Sequence, residues 1–172
     1  MQTKFVNLYG GPGVGKSTVA AGLFSRLKLR GLDAELVPEF AKELVWENHL
    51  SALENQSYVT ARQFYMIKRL KGRCEYVVTD SPVFLGAAYI SSDYPQCYID
   101  TLKWWNEQTT TDGLNYFIQR SGVFSPNGRR HDSFESQMID DRVKNLLQEH
   151  GIDYKVVERN NAIETIYRDV LL

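Results

Sequence analysis

The run Gly10-Gly11-Pro12-Gly13-Val14-Gly15-Lys16-Ser17 meets G-x-x-x-x-G-K-[ST] at every fixed position. Its residue types are those that grip phosphate. Four glycines let the chain curl until successive N–H groups point at one anion. Gly11, Gly13, Val14 and Gly15 form that cradle, and Thr18 follows it. A helix starting near Gly15 adds its positive end to the same spot. Lys16 would reach the outer phosphates of ATP, and the Ser17 hydroxyl would ligate Mg2+. The flanks agree with this reading. Lys4–Tyr9 is a short apolar run suited to a buried strand, and Thr18–Arg30 carries Val19, Leu23 and Leu27 at helical spacing.

Two carboxylates and a group of arginines could complete a site. Asp33–Val37 reads as a second strand and Glu39–Trp46 as a helix, with Pro38 at its start. Glu39 therefore falls just beyond the C-terminal end of a strand, the edge where open α/β sheets bind ligands. The plainer reading of Glu39 is an acid placed for the helix dipole. Glu75–Asp80 reads as a third strand with Asp80 at its tip. Right-handed crossovers put that strand beside the first, so Asp80 would face Ser17 and the metal. A carboxylate there holds Mg2+ or accepts a proton from an attacking hydroxyl; the plainer alternative is a turn or cap Asp. Residues 121–137 hold Ser125-Pro126-Asn127-Gly128-Arg129-Arg130 and read as an arginine-bearing lid. Arginines there can close over phosphates and stabilise charge that develops in transfer.

The remaining elements position these groups. Residues 49–59 show no clear period and read as a loop or short helix over the site, with Thr60 capping a helix over 61–71. A helix over Phe84–Ile90 and another over Gln96–Thr109 follow. A strand over Leu114–Arg120, a helix from Phe134 or Ser136 to near Gly151, a strand over Ile152–Val157 and a closing helix over Ala162–Leu171 complete the chain. The three tryptophans and ten tyrosines invite base stacking, but most fall at core spacings and read as packing. One domain over 1–172 is expected from the length. The net charge of −1 makes no global case for nucleic acid or an acidic membrane. Cys74 and Cys97 lack metal spacing and suit a reducing cytosol, so a cytoplasmic protein is expected. No apolar run is long enough to span a bilayer. His49, His131 and His150 show no metal spacing.

Strand–helix alternation, the phosphate loop, Asp80 and the arginine segment together resemble the small P-loop kinases. That group takes in nucleoside and nucleoside monophosphate kinases and the nicotinamide riboside kinase domain. Asn7–Thr18, Pro38-Glu39-Phe40-Ala41-Lys42-Glu43 and Val78-Thr79-Asp80-Ser81-Pro82 look most like the small AAA-type kinases of bacteriophages. Some of these are 5-hydroxymethyluracil DNA kinases. The resemblance implies a three-layer α/β sandwich around a five-stranded parallel sheet, order 2-3-1-4-5. It also implies Glu39 as base on the acceptor hydroxyl, Gln63 (with Arg62 beside it) as a reader of the acceptor, and residues 158–160 near adenine. One departure matters. Such kinases often carry an Arg after the third strand, where Asp80-Ser81-Pro82 stands here. Arg120, Arg129 or Arg130 would have to replace it.

The expected reaction is γ-phosphoryl transfer from ATP·Mg2+. The acceptor stays open. A hydroxymethylated base in DNA leads narrowly, with Lys68, Arg69, Lys71 and Arg73 as the candidate backbone track. A free nucleoside, nucleotide or nicotinamide riboside comes next, and a P-loop ATPase or switch without an acceptor is the third reading. The oligomeric state is open as well, a homodimer included.

Overall fold

The computed structural model describes residues 2–111, 113–120 and 133–172. Five strands, β1 (Lys4–Tyr9), β2 (Ala34–Val37), β3 (Tyr76–Thr79), β4 (Asn115–Gln119) and β5 (Lys155–Glu158), form one sheet in the order β2-β3-β1-β4-β5. Every pairing is parallel. The expected sheet and strand order are therefore present. Parallel strands buried on both faces need apolar side chains in both directions. Val6 and Leu8 pack with Leu23 and Leu27 of α1 (Lys16–Leu29) and with Ile166 and Val170 of α7 (Ala162–Leu171). Phe5 and Tyr9 point the other way. They pack with Ile67 of α4 (Gln56–Lys68), Leu102 of α5 (Gln96–Glu107) and Val143 of α6 (Ser133–Glu149). Two apolar layers thus hold β1, and with it the loop that β1 feeds.

Element boundaries differ from the sequence expectation in a few places, each with a local cause. The segment 49–59 holds a short helix, α3 (Leu50–Glu54), after α2 (Phe40–Trp46). α4 starts earlier than expected because Asn55, not Thr60, caps it: Asn55 Oδ1 accepts the Tyr58 N–H at 3.1 Å. Thr60 lies inside the helix and donates its hydroxyl back to the Gln56 carbonyl at 2.7 Å. The segment after Asp80 is a 3-10 helix, Val83–Ala88. Gly31 closes α1 as expected: its φ is +75° and Leu32 N–H reaches the Leu27 carbonyl, a Schellman-type ending. Core spacing held for Trp105, which stacks on Phe64 at 4.8 Å, but Trp46 and Trp104 are 72% and 56% exposed.

The loop itself is packed from behind. A Cβ at Gly11 would stand 2.7 Å from the Ser136 carbonyl oxygen and 2.8 Å from Asp140 Oδ1, so α6 approaches the loop as closely as a glycine allows. Gly11→Ala should therefore lower the unfolding free energy by about 1–3 kcal/mol, read as a shifted urea midpoint. Gly22→Ala is the control. Its obstruction is the tip of the Ile163 side chain at 2.5 Å, which can turn aside, so it should change stability by less than about 1 kcal/mol.

Candidate active site

The C-terminal ends of β1, β2 and β3 meet at one edge. Register places Asn7 and Val37 on either side of Thr79. The next residues along each strand are the phosphate loop, Glu39 and Asp80, so these three emerge side by side. In the loop, Gly10, Gly13 and Gly15 have φ of 133°, 86° and 102°, a region that side chains rarely tolerate. Val14 is buried, while Ser17 and Thr18 are exposed on the cleft. The Lys16 ammonium folds back over the loop, donating to the Gly10 carbonyl at 2.7 Å and the Gly11 carbonyl at 2.9 Å. Burial lowers its pKa below the ordinary value, opposed by the carboxylates of Glu39, Asp80 and Asp140.

Glu39 is the N-cap residue of α2, yet its side chain makes no capping bond. Its carboxylate therefore does not serve as a hydrogen-bonding cap. Burial raises its pKa above the ordinary 4.5; Lys16 works against that shift and Asp80 with it. Asp80 is 4% exposed, and its Oδ1 is buried without a hydrogen-bond partner among the described residues. A buried carboxylate oxygen without a partner, and an exposed Ser17 hydroxyl on the same loop-bearing edge of the sheet, suit Mg2+, a hard cation that takes one or two protein oxygens with phosphate and water. Among the described residues no cluster of three or more His, Cys, Asp or Glu forms a metal cage of its own.

A cleft of about 1030 Å³ opens from the loop. Gly13 and the run Gly15 to Thr18 line it on the loop side, and Glu39 lines it as well. Val45 and Trp46 of α2, Leu53 of α3 and Val59 of α4 make an apolar wall, with Lys42, Gln56 and Thr60 as polar points. The 3-10 helix side contributes Pro82, Leu85 and Tyr89. Burial first, then Glu39 and Asp140, hold the Tyr89 hydroxyl well above its ordinary range, so it stays neutral.

Several expected residues stand elsewhere. Gln63 lines the cleft, but both ends of its amide bond to backbone: Oε1 accepts the Phe40 N–H at 2.9 Å, and Nε2 donates to the Pro38 carbonyl at 3.2 Å. Arg62 is exposed and turns over the rings of Phe40 and Tyr65, away from the cleft lining. Arg120 lies behind the loop. It donates to Asp140 Oδ2 at 2.9 Å, the Pro12 carbonyl at 3.0 Å and the Ser136 carbonyl at 3.2 Å. Asp140 in turn accepts the Gly11 N–H. Spacing singled out no role for Asp140; an acid in the middle of an amphipathic helix carries no signal until that helix is docked. Arg129, Arg130 and most of the expected lid lie outside the described residues. The loop after β5 does reach the site, since a Cβ at Gly15 would stand 2.8 Å from Arg159 Nε.

The candidate DNA track does not adjoin the cleft. Lys68 and Lys71 bond to Gln108, at 3.2 Å from its side-chain oxygen and 3.1 Å from its carbonyl respectively. They precede β3, at the N-terminal edge of the sheet, whereas the cleft lies at the C-terminal edge. None of Lys68, Arg69, Lys71 and Arg73 lines the cleft, and the strand Tyr76–Thr79 runs between the two edges, roughly 13 Å of extended chain.

Sheet order, loop and carboxylates define a P-loop nucleotide-binding protein of the α/β class. The chain belongs to the AAA-domain family, whose model matches residues 5–164. No curated protein matches it. Among the described residues no helix is long and apolar enough to cross a membrane.

The raised pKa of Glu39 makes a stability statement. Between 4.5 and the folded value, the native protein binds more protons than the unfolded chain, so stability falls as pH rises through that window. Glu39→Gln removes the buried charge. The variant should be more stable than wild type at neutral pH, with the difference shrinking as pH approaches 4.5. Urea unfolding across pH 4.5–8 checks this.

Proposed function

We propose that this protein is an ATP-dependent kinase whose acceptor is a hydroxyl on a nucleobase-bearing small molecule, a free nucleoside or nucleotide. The observation that carries the reading is Glu39. Its carboxylate, with no hydrogen-bond partner among the described residues, stands where the phosphate loop meets a roomy, apolar-walled cleft. A hydrolase needs no such second chamber, whereas a kinase must seat an acceptor beside the γ-phosphate.

In this reading the loop amides and Lys16 hold the triphosphate. Mg2+, taken up by Ser17, Asp80 and the phosphates, would neutralise charge on the transferring group. Glu39 accepts the proton of the acceptor hydroxyl as the new O–P bond forms. The bond from the γ-phosphorus to its bridging oxygen breaks, and ADP leaves with that electron pair. Arg159, against Gly15, is placed toward the nucleoside end of ATP.

Trp46 favours a planar acceptor. A ring 72% exposed on a cleft wall is a surface for stacking, which is worth about 1–3 kcal/mol per base. The position of Lys68–Arg73 at the far edge of the sheet favours a free acceptor over the hydroxymethylated DNA that leads at the level of sequence.

The test is transfer of label from γ-labelled ATP to a panel of free deoxynucleosides, monophosphates, nicotinamide riboside and duplex DNA with and without 5-hydroxymethyluracil. Label should appear on a free acceptor. Label on modified DNA alone would restore the DNA reading, and ATP turnover indifferent to every acceptor would make the protein an ATPase. Lys16→Ala should abolish transfer. Glu39→Gln should lower kcat about 100-fold or more with little change in ATP affinity. Trp46→Ala should raise the acceptor KM about 5- to 150-fold while kcat holds.

A further inference from the structure

We infer that Gln63 is a positioning residue for Glu39, fixing the backbone on both sides of it, and that it does not read the acceptor. This rests on the reading of Glu39 as the base. Gln63 sits on α4, is 4% exposed and is far from Glu39 in the chain. Its amide nevertheless spans the residues that flank Glu39: the Pro38 carbonyl before it and the Phe40 N–H after it.

The chemistry at those two points is fixed. A carbonyl oxygen only accepts and an N–H only donates, so their partner must present one donor and one acceptor at that spacing. Among the side chains, a primary amide does this at every pH. The partners also fix which end of the amide is oxygen and which nitrogen, because the reverse would set oxygen against oxygen. The bond to the Phe40 N–H is buried and that to the Pro38 carbonyl partly so, and an unmade bond in such a place leaves a desolvated group.

The need for such a clamp follows from where Glu39 stands. It is the last residue before α2, in extended conformation with φ −65° and ψ 116°, and among the described residues no hydrogen bond holds its carboxylate. The first N–H groups of a helix lack intrahelical partners. One of them, that of Phe40, is satisfied by a side chain from another helix. Aim of the carboxylate is thereby set through the backbone, leaving its oxygens unencumbered for a proton. Each end keeps one further hydrogen-bonding position, but with 4% of the residue exposed that remainder has little access to a substrate's base.

Steady-state kinetics on four proteins test this: Gln63→Leu, Gln63→Glu, Glu39→Gln, and the double variant Gln63→Leu/Glu39→Gln. Gln63→Leu should lower kcat about 100-fold, the scale of a misplaced catalytic group, with the KM values for ATP and acceptor little changed. In the Glu39→Gln background the same substitution should cost almost nothing further, because its effect runs through Glu39. Gln63→Glu should show a pH signature. An ionised carboxylate faces the Pro38 carbonyl with acceptors only, whereas its protonated form offers one donor and one acceptor. Its kcat relative to wild type should therefore recover as pH falls, which a merely packed side chain would not produce.

A raised acceptor KM with kcat intact in Gln63→Leu, undiminished in the Glu39→Gln background, would make Gln63 a substrate reader and overturn the inference alone. Near-normal kcat for Glu39→Gln would overturn the base reading and this inference with it. If Gln63→Leu fails to fold, a kcat ratio for Gln63→Glu that is flat with pH overturns the inference by itself.

Discussion

The carboxylate of Asp140 lies between the Gly11 N–H and the Arg120 guanidinium, and Arg120 also donates to the carbonyls of Pro12 and Ser136. A glycine-rich loop has little of its own to hold its shape. Here an ion pair on its outer side does so, leaving the inner side to the ligand. The pair is mostly buried, so neither partner tolerates loss of the other. It joins the first loop of the chain to a helix more than a hundred residues later. With Lys16 bonded across the loop carbonyls, the cradle is held from both sides.

Charge at this edge of the sheet is closely matched. Glu39, Asp80 and Asp140 act on Lys16 as anions, and Arg120 as a cation. With Lys42 and Glu54 on the cleft and Arg159 against Gly15, the described cations and carboxylates come close to balance, so a polyphosphate arriving without a counter-ion would meet little excess of positive charge. The cation that accompanies it belongs to the balance. The same crowding explains why Glu39 is reluctant to ionise: burial disfavours its charge, and Asp80 adds to the effect. A group held against its solution preference is a cost to stability that sites for proton transfer often carry.

Local pattern and long-range packing divided the legibility of this protein. The loop was readable because its conformation demands glycine at set positions, and φ is positive at Gly10, Gly13 and Gly15. Strand order was implied by resemblance, and Glu39 and Asp80 could be placed from strand ends alone. What stayed hidden depends on contacts between distant elements. Asn55 rather than Thr60 starts α4, since a neighbouring Asn is a good cap but no periodicity marks it. Trp46 falls at helical spacing like a core residue, yet the wall it joins faces a cleft. Gln63 and Arg62 are adjacent on one helix, and only docking against α2 decides that one is enclosed and the other faces out. Lys68–Arg73 is dense in charge, but its end of the sheet could be known only once β3 had a direction.

The place of β1 at the middle of the sheet has a bearing on assembly. Lys4 pairs with Tyr76 and Asn7 with Asn115, so the strand that feeds the loop closes its ladders with partners roughly seventy and more than a hundred residues away. Contacts of that separation are costly to form early and slow folding. The nucleotide loop follows β1 directly, but of the two strands that bracket β1, β3 (Tyr76–Thr79) lies well down the chain and β4 (Asn115–Gln119) further still. The clasp from Asp140 comes later still. The shape of the loop thus depends on β3, β4 and α6, and a chain truncated before them keeps the motif in its sequence without the frame that gives it shape.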